Sequence, residues 1–300
     1  MNEKYIGDGK VYLLSDGKKV YTDIAARFVK SERPVVEIIE SPYNANIVKN
    51  ILESGHLAAT EFDFLIFGVE GYSRVCEVQL VRKRIASYLI KSGRQELGGK
   101  RMFTMVAPKE IYNATVNVDL DTTFTDTDGD GDYKAIVQHK LTLSGRQIMD
   151  IINQWYDYNL SKGMKEEDLR YLKPQATEFK GIIGMNVRAL MDFFKVRTCF
   201  RAQTEIRDMA NKMLKLSKEA YPDLFKDAGP NCKVLGYCPE NQYQCEEMKD
   251  KIPTKEKMLD TYKKYGKHSD ISNVSSNMFN FFNILPLKHK LQDTISYKVK

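Results

Sequence analysis

The sequence predicts a mixed α+β fold, a sheet combined with two long helices, on three observations. Short apolar runs rich in β-branched and aromatic residues, at 11–14, 35–39 and 62–69, read as strands. Segments with apolar residues at three- and four-residue spacing, at 44–53, 144–158 and 186–216, read as helices. A chain of 300 residues with 42% hydrophobic content can also bury a substantial core.

Taken in order, 11–14 is Val-Tyr-Leu-Leu and 35–39 is Val-Val-Glu-Ile-Ile, two short strands by propensity. The 44–53 helix follows. The aromatic-rich run at 62–69 is a strand that Gly71 breaks, and Ser73 caps a helix running to about Leu89. On such a helix Gln79 and Arg82 share a face, whereas Arg82 and Arg84 diverge by ~200°. The two arginines would then serve different ligands or different subunits, with Lys83 between them.

From 115 to 140 threonine and aspartate dominate, which predicts an inserted, exposed hairpin or loop. Its aspartates imitate the start of a calcium loop with Gly131 in sixth place. The twelfth place is Val137, where a bidentate Glu is required, so no calcium site is assigned. The 144–158 helix carries Ile148, Ile151, Ile152 and Trp155, most of which should be ordinary core. Gly181 and Gly184 suit a turn before Asn186, and one long helix then runs to about Leu216. Its apolar side is Leu190, Phe193, Phe194, Ile206, Met209 and Met213. Arg197, Arg201, Glu205 and Asp208 form a polar stripe in which Arg201 and Glu205 can pair.

Composition excludes several classes. No run of about 18 apolar residues occurs, and the N-terminus lacks the layout of a signal peptide, so a cytoplasmic protein without a membrane partner is expected. The 46 basic and 40 acidic residues leave a net charge of +6, compatible with anionic ligands and too mild to imply nucleic acid. Five cysteines are too few and too unevenly spaced for a disulfide framework and read as reduced thiols. Cys232, Cys238 and Cys245 lack zinc-ribbon spacing, and a fourth ligand would have to be the remote His268 or come from another chain, so no metal is assigned.

Residues 82–94, Arg-Lys-Arg-Ile-Ala-Ser-Tyr-Leu-Ile-Lys-Ser-Gly-Arg, carry the most chemistry. Five cations, two serine hydroxyls and a glycine within one helix-to-loop transition are suited to holding phosphates. A solvated basic helix end would have the same composition.

Arg82-Lys83-Arg84, seven residues, then Ser92 resembles the Arg-His-Arg-(seven residues)-Ser signature of the flavin-dependent thymidylate synthases. The likeness continues in order through Gly55-His56, Glu61, Phe67 and Gln79, then Arg170 and Pro174. It resumes at Asn186-Val187-Arg188-Ala189-Leu190-Met191, Arg197 and Ala202-Gln203-Thr204-Glu205-Ile206. The resemblance implies a family-like domain over 1–227, with the insertion at about 115–140, and a C-terminal extension over 228–300. It implies that FAD is reduced by NADPH, that methylenetetrahydrofolate supplies the carbon, and that dUMP becomes dTMP without a cysteine nucleophile attacking the base.

Carried over residue by residue, the likeness assigns Gln79, Arg82, Ser92, Gly93, Arg94, Arg170 and Arg197 to dUMP. It makes Arg197 the catalytic group at the pyrimidine. His56, Glu61, Arg82, Lys83, Arg84, Asn186 and Arg188 are assigned to FAD, and a homotetramer with active sites between subunits is implied. The chain departs from the pattern at Lys83 for the central His and at Leu89-Ile90 for an Asn-Glu. Gln95 stands for a Tyr, Arg201 and Phe62 each for a His, and Asp192 for an Asn near the flavin ring. An acidic Asp192 there requires a compensating cation or a different flavin placement. Two alternatives stay open: one-carbon transfer to another pyrimidine nucleotide, and a nucleotide-binding homologue without catalysis.

Overall fold

The computed structural model describes residues 2–15, 17, 19–92, 103–126 and 133–265. Along the chain come β1 (Asn2–Tyr5), β2 (Lys10–Leu13), α1 (Tyr21–Lys30), α2 (Val35–Glu40), α3 (Ala45–Ser54), a 3-10 turn (Leu57–Phe62), β3 (Phe64–Ser73), α4 (Arg74–Leu80) and β4 (Ser87–Ile90). Next are β5 (Thr104–Ala107), α5 (Lys109–Asn113), β6 (Thr115–Asp126), β7 (Tyr133–Ser144), α6 (Gly145–Ser161) and α7 (Glu166–Leu169). Then follow β8 (Glu178–Asn186), α8 (Val187–Arg197) and α9 (Thr204–Ala220). The mixed fold expected from the sequence is present. The chain divides into two compact units, one of 1–9, 70–78 and 90–180, the other of 10–69, 79–89 and 181–300.

In the second unit lies most of a four-stranded sheet of order β2-β3-β8-β4. Strand β3 alternates as a half-buried strand should, with Leu65 and Phe67 inside and Phe64 and Ile66 outside. Leu190, Phe193, Phe194, Ile206, Met209 and Met213, the apolar side read from the sequence, are buried as well. Asp63, fully buried, accepts from Tyr21 N and Thr22 N at 2.8 Å each and from Thr22 Oγ1 at 2.5 Å, so one carboxylate satisfies the first turn of α1. Its own carbonyl accepts from Val187 N at 2.9 Å, tying the entry of β3 to the start of α8.

In the first unit β1 pairs in parallel with β5, and a cluster of Phe103, Met105, Tyr112, Met149, Tyr156 and Leu169 forms the core. Strands β6 and β7 make an antiparallel ribbon in register from Thr115↔Ser144 to Asp126↔Tyr133, so the insertion is the hairpin alternative. Of the calcium-like segment, 127–132 lies outside the described residues; Val137, its twelfth place, sits in β7 opposite Thr122. Ser144 and Gln147 form a capping box at the start of α6.

Several expectations are corrected. Residues 35–39 are not a strand but α2: Pro34 is its N-cap, Glu37 stands in its first turn, and only Ile38 is buried. β-Propensity is a weak prior without a neighbouring strand to pair with. Gly71 does not break β3, which continues to Ser73; its φ of +76° and the approach of Gly9 Cα to within 3.1 Å of a would-be Cβ explain the glycine. The helix capped by Ser73 ends at Leu80, not Leu89, and Ser87–Ile90 is strand, so the basic triplet lies in a turn and the ~200° helical divergence does not apply.

On α6 the buried face is Met149, Asn153 and Tyr156, while Ile148, Ile151 and Trp155 are exposed. Asn153 is accommodated because its Oδ1 accepts from Phe103 N at 3.0 Å. Gly181 and Gly184 lie within β8 rather than in a turn, and a Cβ on Gly184 would meet the Phe64 ring at 2.7 Å. The long helix is two helices, α8 and α9. Gln203 restarts the second by accepting Ile206 N at 3.1 Å, so Arg201 does not reach Glu205 and pairs with Glu240 at 2.9 Å.

Candidate active site

The basic triplet is held by the way α4 stops. A helix leaves its last carbonyls without partners in the helix, and here side chains from elsewhere in the second unit take them. Arg197 Nη2 donates to Gln79 O at 2.9 Å, across 118 residues of sequence. The Tyr88 hydroxyl lies 3.0 Å from Leu80 O and 2.9 Å from Lys83 O, and Lys83 N closes the turn on Leu80 O at 3.2 Å. Burial pushes the Tyr88 phenol up to about 12.

On this turn Arg82 and Arg84 are exposed, and neither side chain bonds to a described residue. Lys83 is different: its ammonium stands 3.7 Å from Asp192, whose other oxygen accepts from Lys195 at 3.2 Å. The acidic departure at 192 therefore has two cations beside it, one of them the departure at 83. Arg197, half-buried at the end of α8, has its guanidinium oriented by Gln79 O. The Gln79 side chain makes a long bond, 3.5 Å, to Gln203 Oε1.

A second group gathers where the 3-10 turn, β3 and α8 meet. Glu61 and Arg188 pair at 2.6 Å, both about half exposed. Asn186 caps α8 by accepting Ala189 N at 2.8 Å, which commits its carbonyl oxygen and leaves its amide N–H groups to donate. His56 is exposed and follows Gly55, which ends α3 in the left-handed conformation.

The second unit thus holds Gln79, Arg82, Lys83, Arg84 and Arg197 around one helix end, and Glu61, Asn186 and Arg188 around another, with His56 at the end of α3. Ser92 and Arg170 belong to the first unit; both are exposed, and the Arg170 side chain bonds to no described residue. Gly93 and Arg94, like Gln95, lie outside the described residues. Sequence reasoning gave Tyr88 no role, and Gln203 none beyond its place in the Ala202–Ile206 motif. Tyr88 sits inside the signature stretch, but nothing in spacing distinguishes a phenol that reaches back to a turn from one that packs.

Elsewhere, Cys199 and Cys245 are half-buried and Cys232 and Cys238 buried, all as free thiols. Burial pushes the Cys232 thiol up, with the neighbouring Cys199, Cys238 and Cys245 acting in the same direction. Among the described residues no group of three or more His, Cys, Asp or Glu could hold a metal ion, and no helix is long and apolar enough to cross a membrane.

Fold and site together define an α+β protein with a cationic turn beside a buried-side arginine, suited to an anionic, planar ligand. Comparison with solved structures places the fold more narrowly. A UMP/dUMP methylase, PolB, from Streptomyces cacaoi, bound with 5-Br dUMP, superposes with a TM-score of 0.56 at 18% identity, covering 75% of this chain and 96% of that one. The family described as thymidylate synthase complementing protein matches residues 15–223.

Among curated relatives, the flavin-dependent thymidylate synthase of Nitratidesulfovibrio vulgaris is 35% identical over 205 residues, 68% of this chain and 76% of its own length. That of Clostridium tetani is 37% identical over 214 residues, 68% and 78%, and that of Geobacter sulfurreducens 33% over 225, 74% and 86%. The chain belongs to the flavin-dependent thymidylate synthase family.

Proposed function

We propose that this protein reductively methylates dUMP to dTMP, with FAD as cofactor and with NADPH and methylenetetrahydrofolate as co-substrates. The observation that carries the reading is the convergence, within a chain of this family, of Arg197 on the end of the helix that leads into the Arg82–Arg84 turn.

The donor set fits a flavin dinucleotide. Its pyrophosphate needs cations that are not already neutralised, and Arg82 and Arg84 have no described acidic partner. Lys83 and Arg188 add positive charge, and the paired Asp192 no longer presents an uncompensated carboxylate. His56, Glu61, Lys83, Arg84, Asn186 and Arg188 would hold the cofactor together with Arg82. When bound, FAD supplies the reducing equivalents that a reductive methylation requires.

The protein's own residues act by charge and position. Gln79, Arg82, Ser92, Gly93, Arg94 and Arg170 bind the nucleotide, chiefly its phosphate. Arg197, its guanidinium fork set by Gln79 O, faces the N3/O4 edge of the pyrimidine, stabilises the ionised ring and raises electron density at C5, the carbon to be methylated. No cysteine is needed at the base, and none of the proposed site residues is one.

One face of the sheet supports assembly into a homotetramer: Leu14, Phe64, Ile66, Ile182 and Leu89 are exposed on it. The related fold in a UMP/dUMP methylase supports, as a second reading, a different pyrimidine nucleotide as acceptor. An anaerobic assay with NADPH, methylenetetrahydrofolate and dUMP, UMP or dCMP, followed by product mass, separates them. Methylated dUMP is expected. A methylated or hydroxymethylated product from another nucleotide alone transfers the proposal to that substrate, and absence of bound flavin after FAD is added overturns both.

A further inference from the structure

The 80–84 turn carries three consecutive cations, which repel one another and would spread the turn if nothing held its backbone. Three side chains hold it. Arg197 takes Gln79 O, Asp192 stands 3.7 Å from the Lys83 ammonium, and the Tyr88 hydroxyl bridges Leu80 O and Lys83 O at 3.0 and 2.9 Å. Tyr88 is the member that spans the turn itself, its single hydroxyl proton shared between the two carbonyls. It stands on β4, which is paired in the sheet beside β8, so its ring is a short strut between a fixed strand and a turn that has no strand or helix of its own.

We propose that the Tyr88 hydroxyl is a positioning group that presets the 80–84 backbone, and with it Arg82 and Arg84, to receive a nucleotide phosphate. The inference rests on the site assignment under Proposed function and adds to it a residue that never touches the ligand. The ring alone would fill the same space; the hydroxyl supplies the proton shared by Lys83 O and by Leu80 O, which also accepts from Lys83 N, and removing it takes a donor from the turn. The phenol stays protonated throughout the neutral range, so it remains a donor. Ordering the turn before the ligand arrives removes an entropic cost from binding.

The test uses the full-length protein and its Tyr88→Phe variant, which keeps the ring. Amide hydrogen exchange over residues 80–86 is measured without ligand, and calorimetry gives affinities for dUMP and for inorganic phosphate. Steady-state kinetics supply KM and kcat. Exchange over 80–86 is expected to quicken while the rest of the chain is unchanged, and the dUMP Kd to rise about three- to tenfold, the weight of one hydrogen bond. KM should rise with kcat nearly constant, a split that a general loss of fold does not produce. Wild-type exchange in the variant, or a dUMP Kd within twofold of wild type, overturns the proposal. If wild type binds phosphate but not dUMP, the substrate assignment falls, and the role of Tyr88 is decided by exchange and phosphate affinity.

Discussion

Replacing Asp63 by Asn removes one negative charge from a fully buried position. The two carboxylate oxygens take three donors: Tyr21 N on Oδ1, Thr22 N and Thr22 Oγ1 on Oδ2. An amide of the same shape keeps one acceptor oxygen and turns an NH2 group toward a main-chain N–H. The loss comprises a charge-assisted bond of about 1.5–3 kcal/mol and a donor left unsatisfied at about 1–3 kcal/mol. The weakened interaction with the N-terminal dipole of α1 adds about 0.3–1 kcal/mol. Relaxation recovers part of this, so a net destabilisation of about 3 kcal/mol is expected, large against the roughly 5–15 kcal/mol of a typical domain.

Urea unfolding of wild type and D63N, followed by circular dichroism, measures it directly. A loss below about 1 kcal/mol with an unchanged m-value refutes the reasoning, because the buried carboxylate would then contribute no more than a surface polar group. The same substitution reaches the proposed flavin residues. Asp63 O bonds Val187 N, beside Arg188, and Glu61 lies two residues before it, so FAD affinity should fall with stability. Wild-type FAD affinity in a destabilised D63N would separate the two.

Arg197→Ala should lower kcat/KM for dUMP about 10²–10³-fold, the range for removing one preorganised donor at developing negative charge, and Arg197→Lys should fall between, keeping charge but not the fork. A loss smaller than about threefold in the alanine variant would remove Arg197 from the chemistry. Glu3 has its carboxyl held below its ordinary value of 4.5, first by the hydrogen bonds from Arg146 and against the opposing effect of burial. A depressed folded value means the pair stabilises the protein above pH ~4.5 and is lost as pH falls through the lowered value. Wild type should therefore lose more stability than Glu3→Gln between pH 5 and pH 3, and parallel acid-unfolding curves would contradict this.

Much of the fold was legible where side-chain pattern and local chemistry agree. Strand β3 and the apolar side of α8 and α9 follow from alternation and helical spacing, and Ser73, read as a helix cap, accepts from Cys76 N at the start of α4. Residues 35–39 misled because β-branched residues favour a strand only when a neighbour pairs with it, and Pro34 followed by an acidic first turn supports a helix just as well. The end of α4 was illegible for another reason. Val81 to Ala86 would extend a helix by composition, and what stops it is a hydroxyl and a guanidinium arriving from Tyr88 and Arg197. The α6 face was misplaced by about one residue because Asn153, a polar residue, is part of the core.

The order of cationic and polar residues along the chain was enough to identify its family and to nominate Arg82, Arg84 and Arg197, because charge and hydrogen-bonding capacity belong to each side chain wherever it lies. Sequence also supplied the mixed fold, since apolar periodicity is a local property of the backbone. Only the tertiary structure decided that Lys83 and Asp192 offset each other and that Arg197 meets the end of α4. Those outcomes depend on distances between atoms far apart along the chain, and no periodicity encodes them.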